Sequence, residues 1–463
     1  MRRTLTTLAS AALVLLAGPA GALTFGEAYS AARAFDAKFQ AAGHERDAAQ
    51  EAISVARASL RPSVNMSVSD SMVSGVRVFP NALSQEVRIR TDYSTPQASL
   101  TMRAPVFNLE ASSGLRRAES LALGADAAFQ LRNLDLIERL GAAYLDILLA
   151  QENMVLADNQ VIALQAQLTR AEQRLKRGEG TRTDVAQAVA ALEGARVKVF
   201  EAADQVALAR HGLRRVTGLD AQITELKTID KSFLPPPLLP SDSAGWLELA
   251  LRQSPIIQAR QQAIEAARYT VQARKAGHYP RLDVVASTSR SQNESISSIN
   301  QTSRLASVGF QLSLPLYSGG GVDAGMRQAA ADLSRIEEEA RSDREGVELD
   351  VQRIHRAVVS GATKIDAQRK ALQASEVALE GITKSVEAGL ATGVDVLDAQ
   401  SRLYVAARDL AQSQYEYLLS RLRLLTQAGY PVGEIVQDVD RMLTAVIPAP
   451  LATHSPTTRR AAP

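Results

Sequence analysis

Five histidines, His44, His211, His278, His355 and His454, are the side chains best able to ligate a metal or move a proton near neutral pH. None stands at metal-ligand spacing from another. The chain has no cysteine, which excludes thiolate metal sites, disulfides, a cysteine nucleophile and lipidation through cysteine. Gly319-Gly320-Gly321 with Gly325 has the glycines of a phosphate loop, but no Gly-Lys-Ser/Thr follows, so the run reads as a flexible strand-to-helix joint. With no nucleophile, metal cluster or cofactor loop, the chain is not read as an enzyme, and no cofactor is expected. The remaining candidates are carboxylates beside helix starts, Asp184, Asp395 and Asp398. On the residues alone, Asp395 is a first-turn acid that stabilises a helix N-terminus.

A duplicated segment must position these acids. Gly178 to Gly218 and Gly389 to Gly429 align without a gap at an offset of 211 residues, pairing Thr181 with Thr392, Asp184 with Asp395 and Leu192 with Leu403. A repeat on this scale exceeds a solenoid unit of about 20 to 50 residues. It reads as half of a molecule copied.

Within each copy the apolar residues recur every 3.5 positions. Alternate steps of four and three from Leu136 meet only apolar residues as far as Leu175, among them Leu140, Ile147, Ala157, Leu164 and Leu168. The same spacing runs from Val185 to Val216, which predicts helices packed along their length as coiled coils. The offset carries the register into the second half, where Ser413, Ser420 and Gln427 weaken the last seam. A helix from about Leu115 to Arg177 would be about 95 Å long at 1.5 Å per residue. Gly178 and Gly389 are natural C-caps for the long helices. Thr183 and Asp184 restart the first return helix, and Thr392 the second.

Ahead of each hairpin, a short helix gives way to period-2 alternation. Val64, Met66 and Val68 share one parity, then Leu100 and Met102; in the second half Leu282 and Val284, then Val308, Phe310 and Leu312 do the same. Each half thus supplies two amphipathic strands, with Ser74 to Arg90 and Ser291 to Arg304 read as exposed loops between them. Pro62 and Pro280 mark helix-to-strand borders, Pro105 and Pro315 strand-to-helix borders, where fixed φ and a missing donor are tolerated.

Residues 1–22 read as a signal peptide: basic Arg2 and Arg3, an apolar run from Leu8 to Ala17, and Ala20-Gly21-Ala22 as the cleavage site. The remainder divides into a first repeat at 23–218, a connector at 219–241 stiffened by Pro235-Pro236-Pro237, a second repeat at 242–429 and a partly disordered tail at 430–463. Balanced charge, 52 basic against 50 acidic residues, gives no footprint for nucleic acid. An exported chain with no other long apolar run must enter a membrane through strands, if at all. Membrane strands must close, since an open edge leaves unpaired backbone groups costing several kcal/mol each, and the smallest common barrels have about 8 strands. Four strands per chain do not close, whereas three copies would supply twelve. The alternative is that the strands lie outside any membrane, in a periplasmic coiled-coil adaptor or scaffold. An adaptor should carry one helical hairpin within a β-rich domain, whereas this chain carries two hairpins and two strand pairs.

From Leu23 to about Tyr430 the chain resembles the TolC family of outer membrane channel proteins. The resemblance rests on Pro105-Val106-Phe107 and Pro315-Leu316-Tyr317 after the second strands, on Gly180-Thr181-Arg182-Thr183-Asp184-Val185 at the first tip, and on Val394-Asp395-Val396-Leu397-Asp398-Ala399 followed by Leu403-Tyr404. The first tip looks most like members serving type I protein secretion. The resemblance implies a mainly α fold with membrane β: a homotrimer whose 12-stranded barrel, four strands per chain, sits in outer-membrane lipid and continues as an α-helical coiled-coil periplasmic tunnel.

It further implies a passive exit duct for protein or small molecules, docked at its tip on a periplasmic adaptor (membrane fusion protein) and an inner-membrane ABC or resistance-nodulation-division transporter. Asp395 and Asp398 match the family's acidic pair at the periplasmic entrance, where threefold symmetry gathers six carboxylates and favours cations. Thr183 and Asp184 match latch positions. The tyrosine and arginine expected opposite them correspond to Val386 and Ala391 here, so those links cannot form and the latch is expected to be weaker, or rewired through Arg174, Arg177 or Arg182 holding Asp184 or Asp395. Gly178, Gly180, Thr181, Gly389 and Thr392 line the tips that would meet the adaptor.

Overall fold

The computed structural model describes residues 22–219, 225–230, 232–295 and 298–447. The signal peptide up to residue 21 and the tail beyond 447 lie outside the described residues. In chain order the elements are α1 (Phe25–Phe35), α2 (Ala37–Ala58), β1 (Ser63–Ser69), β2 (Met72–Pro80), β3 (Glu86–Ser94), β4 (Gln97–Phe107), α3 (Leu109–Lys176), α4 (Arg182–Thr217) and β5 (Leu226–Thr228). They are followed by α5 (Ser243–Gln253), α6 (Pro255–Lys275), β6 (Arg281–Ser295), β7 (Ser298–Ser313), α7 (Gly321–Glu387), α8 (Gly393–Gln427), α9 (Val432–Met442) and β8 (Ala445–Ile447). Two helices, not one short helix, precede the strands of each half. The segment 430–447, assigned from sequence to the tail, contains α9 and β8.

The chain forms two compact units, each drawn from both halves. One takes the described residues of Met1–Gln40, Asn133–Ala250 and Glu348–Pro463, the other those of Ala41–Arg132 and Leu251–Val347.

In the second of these units the strands form an antiparallel sheet in the order β1-β4-β6-β7. Its register brings the apolar residues into rows, Val64 opposite Met102, Met102 opposite Ala286 and Ala286 opposite Val308. The opposite face is polar, with Ser67 and Ser99 hydroxyls 2.8 Å apart and those of Ser287 and Ser307 2.9 Å apart. The stretches read from sequence as loops are strands: β2 pairs with β3 from Met72–Ser94 to Pro80–Glu86, and β6 and β7 stay paired from Arg281–Ser313 out to Ser295–Ser298. Pro105 is not at the border either. It lies inside β4, where the register shifts between Pro105 and Phe107, a bulge that accommodates the missing donor. Pro62 and Pro280 immediately precede β1 and β6, and Pro315 follows β7. Gly319 and Gly320, both at positive φ, lead into α7. Helices α2 and α6 flank the long helices several turns past their starts, through Gln50 to Asp126 at 3.1 Å and an ion pair of Arg260 with Asp343.

The other unit is a helical assembly closed by small elements. No member of the Leu136–Leu175 or Val185–Val216 seam is exposed. Leu164, Leu168, Ala188, Leu192 and Ala195 form one core cluster between α3 and α4. The fourth seam loses hydrophobicity but not burial: Ser413 is buried and its hydroxyl bonds back to the Asp409 carbonyl at 2.7 Å. Helices α3 and α8 run antiparallel side by side, with Glu138 bonded by the Thr426 hydroxyl, Gly141 against Leu422, Leu397 packed on the Leu164 cluster and Gly393 beside Gln167. A Cβ on Gly141 would stand 2.6 Å from Leu422 Cδ1, so glycine permits this approach.

Described residues of the connector pack against the helices. Phe233 is buried and its carbonyl accepts from Arg369, while the Pro236 carbonyl accepts from the Tyr417 hydroxyl at 3.2 Å. Strand β5 pairs with β8, and the buried Tyr144 hydroxyl donates to the Leu23 and Lys227 carbonyls at 2.7 and 3.1 Å. Trp246 is a packing residue, its indole donating to the Pro240 carbonyl at 2.7 Å with its ring against Tyr430.

Candidate channel elements: the uncovered sheet and the hairpin tips

Both tips are built by the same local chemistry. At the end of α3, Gly178 takes φ +76°, its N–H donates to Leu175 O at 3.0 Å and that of Glu179 reaches back to Arg174 O at 2.9 Å. At the end of α7, Gly389 has φ +76° as well, with N–H to Val386 O at 3.2 Å and Leu390 N–H to Ser385 O at 2.8 Å. This left-handed closure satisfies the last carbonyls of each long helix and needs glycine to avoid a strained Cβ. Each return helix then starts at an N-cap threonine.

The first N-cap is Thr181, which corrects the sequence assignment of the restart to Thr183. Thr181 and Asp184 form a reciprocal capping box, Thr181 N–H to Asp184 Oδ2 at 2.8 Å and Asp184 N–H to Thr181 Oγ1 at 3.1 Å. Thr183 lies within α4 and is exposed. At the second tip the Asp395 carboxylate accepts from the Thr392 N–H at 2.8 Å and the Thr392 hydroxyl at 2.7 Å. These donors hold both carboxyls below the ordinary carboxylate range, the backbone N–H first and the hydroxyl second; Arg174 adds to the effect at Asp184. Asp395 thus has the helix-starting role read from the residues alone. Asp398, one turn on, is exposed with Asp395 on the same side of α8.

The three arginines named from sequence stand in different surroundings. Arg177 pairs with Glu179 at 3.3 Å, within its own tip, and not with Asp184. Arg174 is the cation that bears on Asp184, and Arg182 is exposed at the first residue of α4. Gly180 sits against the end of α3, where a Cβ would meet Leu175 N at 3.2 Å; Ala391 fills the same place in the second tip, and Val386 is half-buried. Among the described residues the histidines do not cluster: His278 faces Asp323 at 3.1 Å, and His355 is buried against the Ser241 carbonyl at 3.2 Å. Among the described residues no group of three or more potential metal ligands gathers. The groove between α3 and α4 is open and lined by Arg139, Asp146, Asn153, Gln205 and Arg215 beside alanines, leucines and a valine.

The sheet is uncovered on its apolar face. Val308 is 80% and Phe310 79% exposed, and Val64, Met66, Val68 and Leu312 are exposed beside them. No helix among the described residues is long and apolar enough to cross a membrane. An uncovered apolar face of this extent marks a membrane or protein interface, and the alternation of apolar and polar faces is that of a barrel wall. Strands β1 and β7 each present an edge with no strand beside it in the sheet.

A second set of polar residues was not singled out from sequence. The side-chain carbonyl oxygens of Asn153, Gln160 and Gln167, seven residues apart on α3, and of Gln400 on α8 are buried without a hydrogen-bond partner among the described residues. Their heptad spacing was readable in principle, as a polar line beside the apolar seam.

Comparison with known proteins agrees with these elements. The outer membrane efflux protein family model matches residues 28–219 and 246–430. The proteases secretion protein PrtF of Dickeya chrysanthemi is 33% identical over 418 residues, 90% of each chain. The alkaline protease secretion protein AprF of Pseudomonas aeruginosa is 31% identical over 470 residues, 99% of this chain and 98% of that one. The crystal structure of the outer membrane protein VceC from Vibrio cholerae superposes with a TM-score of 0.74 at 18% identity, covering 88% of this chain and 96% of that chain. The chain therefore belongs to the outer membrane efflux protein family, and it is an outer-membrane exit duct.

Proposed function

We propose that this duct carries secreted protein, as a homotrimer joined through a periplasmic adaptor to an inner-membrane ABC transporter. TolC-family channels are trimeric and act in tripartite systems with an adaptor and an inner-membrane transporter. The observation that carries the cargo assignment is the similarity to two protease-secretion proteins along nearly the whole of both chains. The trimer is supported by the sheet: four strands with two open edges and an uncovered apolar face close when three copies share one barrel of twelve strands. In that assembly the duct is passive and performs no bond chemistry. The tips present Gly178, Gly180, Thr181, Gly389 and Thr392 to the adaptor, and the carboxylates of Asp395 and Asp398 gather around the entrance.

Deleting the gene in its native host separates protein from small-molecule cargo. Loss of a protein from the medium with unchanged sensitivity to toxic compounds is the expected result. An intact set of secreted proteins with heightened drug sensitivity would assign the duct to efflux with a resistance-nodulation-division pump.

A further inference from the structure

The apolar face of the sheet ends at a pair of like charges. Val68 stands opposite Ala98, Ala98 opposite Arg290 and Arg290 opposite Arg304. By the alternation of strands, these arginines share the face of Val284–Phe310 and Ala286–Val308. The next pair outward on that face, Gln292 opposite Thr302, is polar. Both arginines are exposed, and neither takes part in an ion pair among the described residues. Like charges directly opposite on adjacent strands are destabilising, so two bare guanidinium groups at neighbouring positions call for an anion between them.

Their height on the sheet says which anion. All four strands meet helices at one end, at Ser63, Phe107, Arg281 and Ser313. From Arg281 to Arg290 the strand climbs about 30 Å at roughly 3.3 Å per residue. At a tilt of about 40° this is roughly 23 Å of height, against an apolar band about 25 Å tall in outer-membrane barrels. The pair therefore lies at the rim remote from the helices, where the hydrocarbon gives way to headgroups. Arginine forks match phosphate oxygens bidentately.

We propose that Arg290 and Arg304 form a binding site for the phosphate of an anionic lipid in the outer leaflet, whose acyl chains lie along Val284, Ala286, Val308 and Phe310. The occupant is lipid and not a soluble anion, because the arginines are continuous with the membrane-facing apolar rows of the same strands.

Native mass spectrometry of the purified assembly in detergent, titrated with phosphatidylglycerol, bisphosphorylated lipid A and phosphatidylcholine, tests this. The anionic lipids should bind in preference to phosphatidylcholine. R290Q/R304Q should weaken their binding roughly 30-fold, since each arginine near an anionic lipid surface contributes a factor of about five, while R290K/R304K, which keeps the charge and loses the bidentate forks, should fall between the two. Excess inorganic phosphate should not compete. Equal binding by R290Q/R304Q and the wild type, equal binding of phosphatidylcholine, or displacement by inorganic phosphate would each overturn the proposal. If the double variant fails to assemble, R290Q and R304Q singly should each show about a fivefold loss, and no loss in either overturns it equally.

Discussion

The guanidinium of Arg139 clamps the carboxylate of Asp36, with Nη1 to Oδ2 at 2.7 Å and Nη2 to Oδ1 at 3.1 Å, across 103 residues of chain. Asp36 separates α1 from α2 and also caps α2, accepting from the Phe39 N–H at 2.8 Å. Arg139 is tied to α3 by a second carboxylate, Asp135, at 3.0 Å. The bridge fixes where the N-terminal helices dock on the first long helix.

Arg139 holds the Asp36 carboxyl below the ordinary carboxylate range, burial opposes this and the Phe39 N–H reinforces it. A lowered folded-state pKa adds stability above the unfolded value, about 4, and loses it as pH falls through the folded value. Asp36→Asn should therefore lower stability at pH 7 by about 2 to 4 kcal/mol, below the full range for a buried pair because Arg139 keeps some solvent contact. Thermal melts of wild type and variant should converge as pH drops below about 4. A gap unchanged at acid pH would show that the charge of Asp36 is not what stabilises.

The orphan amides between α3 and α8 predict a gain. The contacts that bring Gly393 to Gln167 and Thr426 to Glu138 also carry Gln160 to the level of Gln400, and both carbonyl oxygens are buried without partners. A buried unpaired carbonyl costs about 1 to 3 kcal/mol, whereas apolar groups of similar shape at both positions carry no such penalty. Gln160→Leu with Gln400→Leu should raise the melting stability of the assembly by at least about 1 kcal/mol. A loss of stability in the double variant would mean that the amides are satisfied in the assembly.

How much of this was legible depended on range in sequence. The duplication, the long helices and the glycine stops at Gly178 and Gly389 follow from local periodicity and cap chemistry, so residue types alone indicated them. The restart of α4 was misplaced from Thr181 to Thr183 because two threonines lie within one turn; the position of Asp184 decides between them, since only Thr181 puts it at the third helical residue. The outer ends of β6 and β7 read as loops because serine, asparagine and glutamine dilute the alternation there, whereas β3 alternates cleanly, Val87, Ile89, Thr91 and Tyr93 against Glu86, Arg88, Arg90 and Asp92, so its period-2 signal was legible and was passed over. Ladder pairing, not burial, defines those segments. The heptad line of Asn153, Gln160 and Gln167 on α3 is a local pattern, but its meeting with Gln400 on α8 and the Arg139 clamp on Asp36 depend on residues far apart in the chain, and no local pattern specifies such contacts.

The two acids of the second tip should separate when tested one at a time. Asp395 is engaged by the Thr392 N–H and hydroxyl, whereas Asp398 stands exposed one turn on. If these carboxylates form the entrance ring, Asp398→Ala should relieve multivalent-cation block of single-channel current without loosening the tip. Asp395→Ala should relieve block and also increase amide exchange in the first turn of α8. Asp395→Asn, which keeps an acceptor for Thr392, should relieve block alone. Unchanged block in the Asp395→Ala with Asp398→Ala double variant would remove both residues from the gate.

Truncation should find a boundary between Met442 and Ile447. Strand β8 pairs with β5 from Leu226–Ile447 to Thr228–Ala445, and the side chain of Leu226 is wholly buried. Removing residues 448–463 leaves that pairing intact, so the shortened chain should still give the wild-type oligomer on a non-denaturing gel. Ending the chain at Met442 deletes β8, bares one edge of β5 and removes Leu443, which is also wholly buried. Burial of one leucine is worth about 1.5 to 3 kcal/mol, so that chain should assemble poorly or melt earlier. Equal assembly of both truncations would show that the β5–β8 ribbon is dispensable, and loss of the oligomer in the 447 truncation would give the tail a structural role.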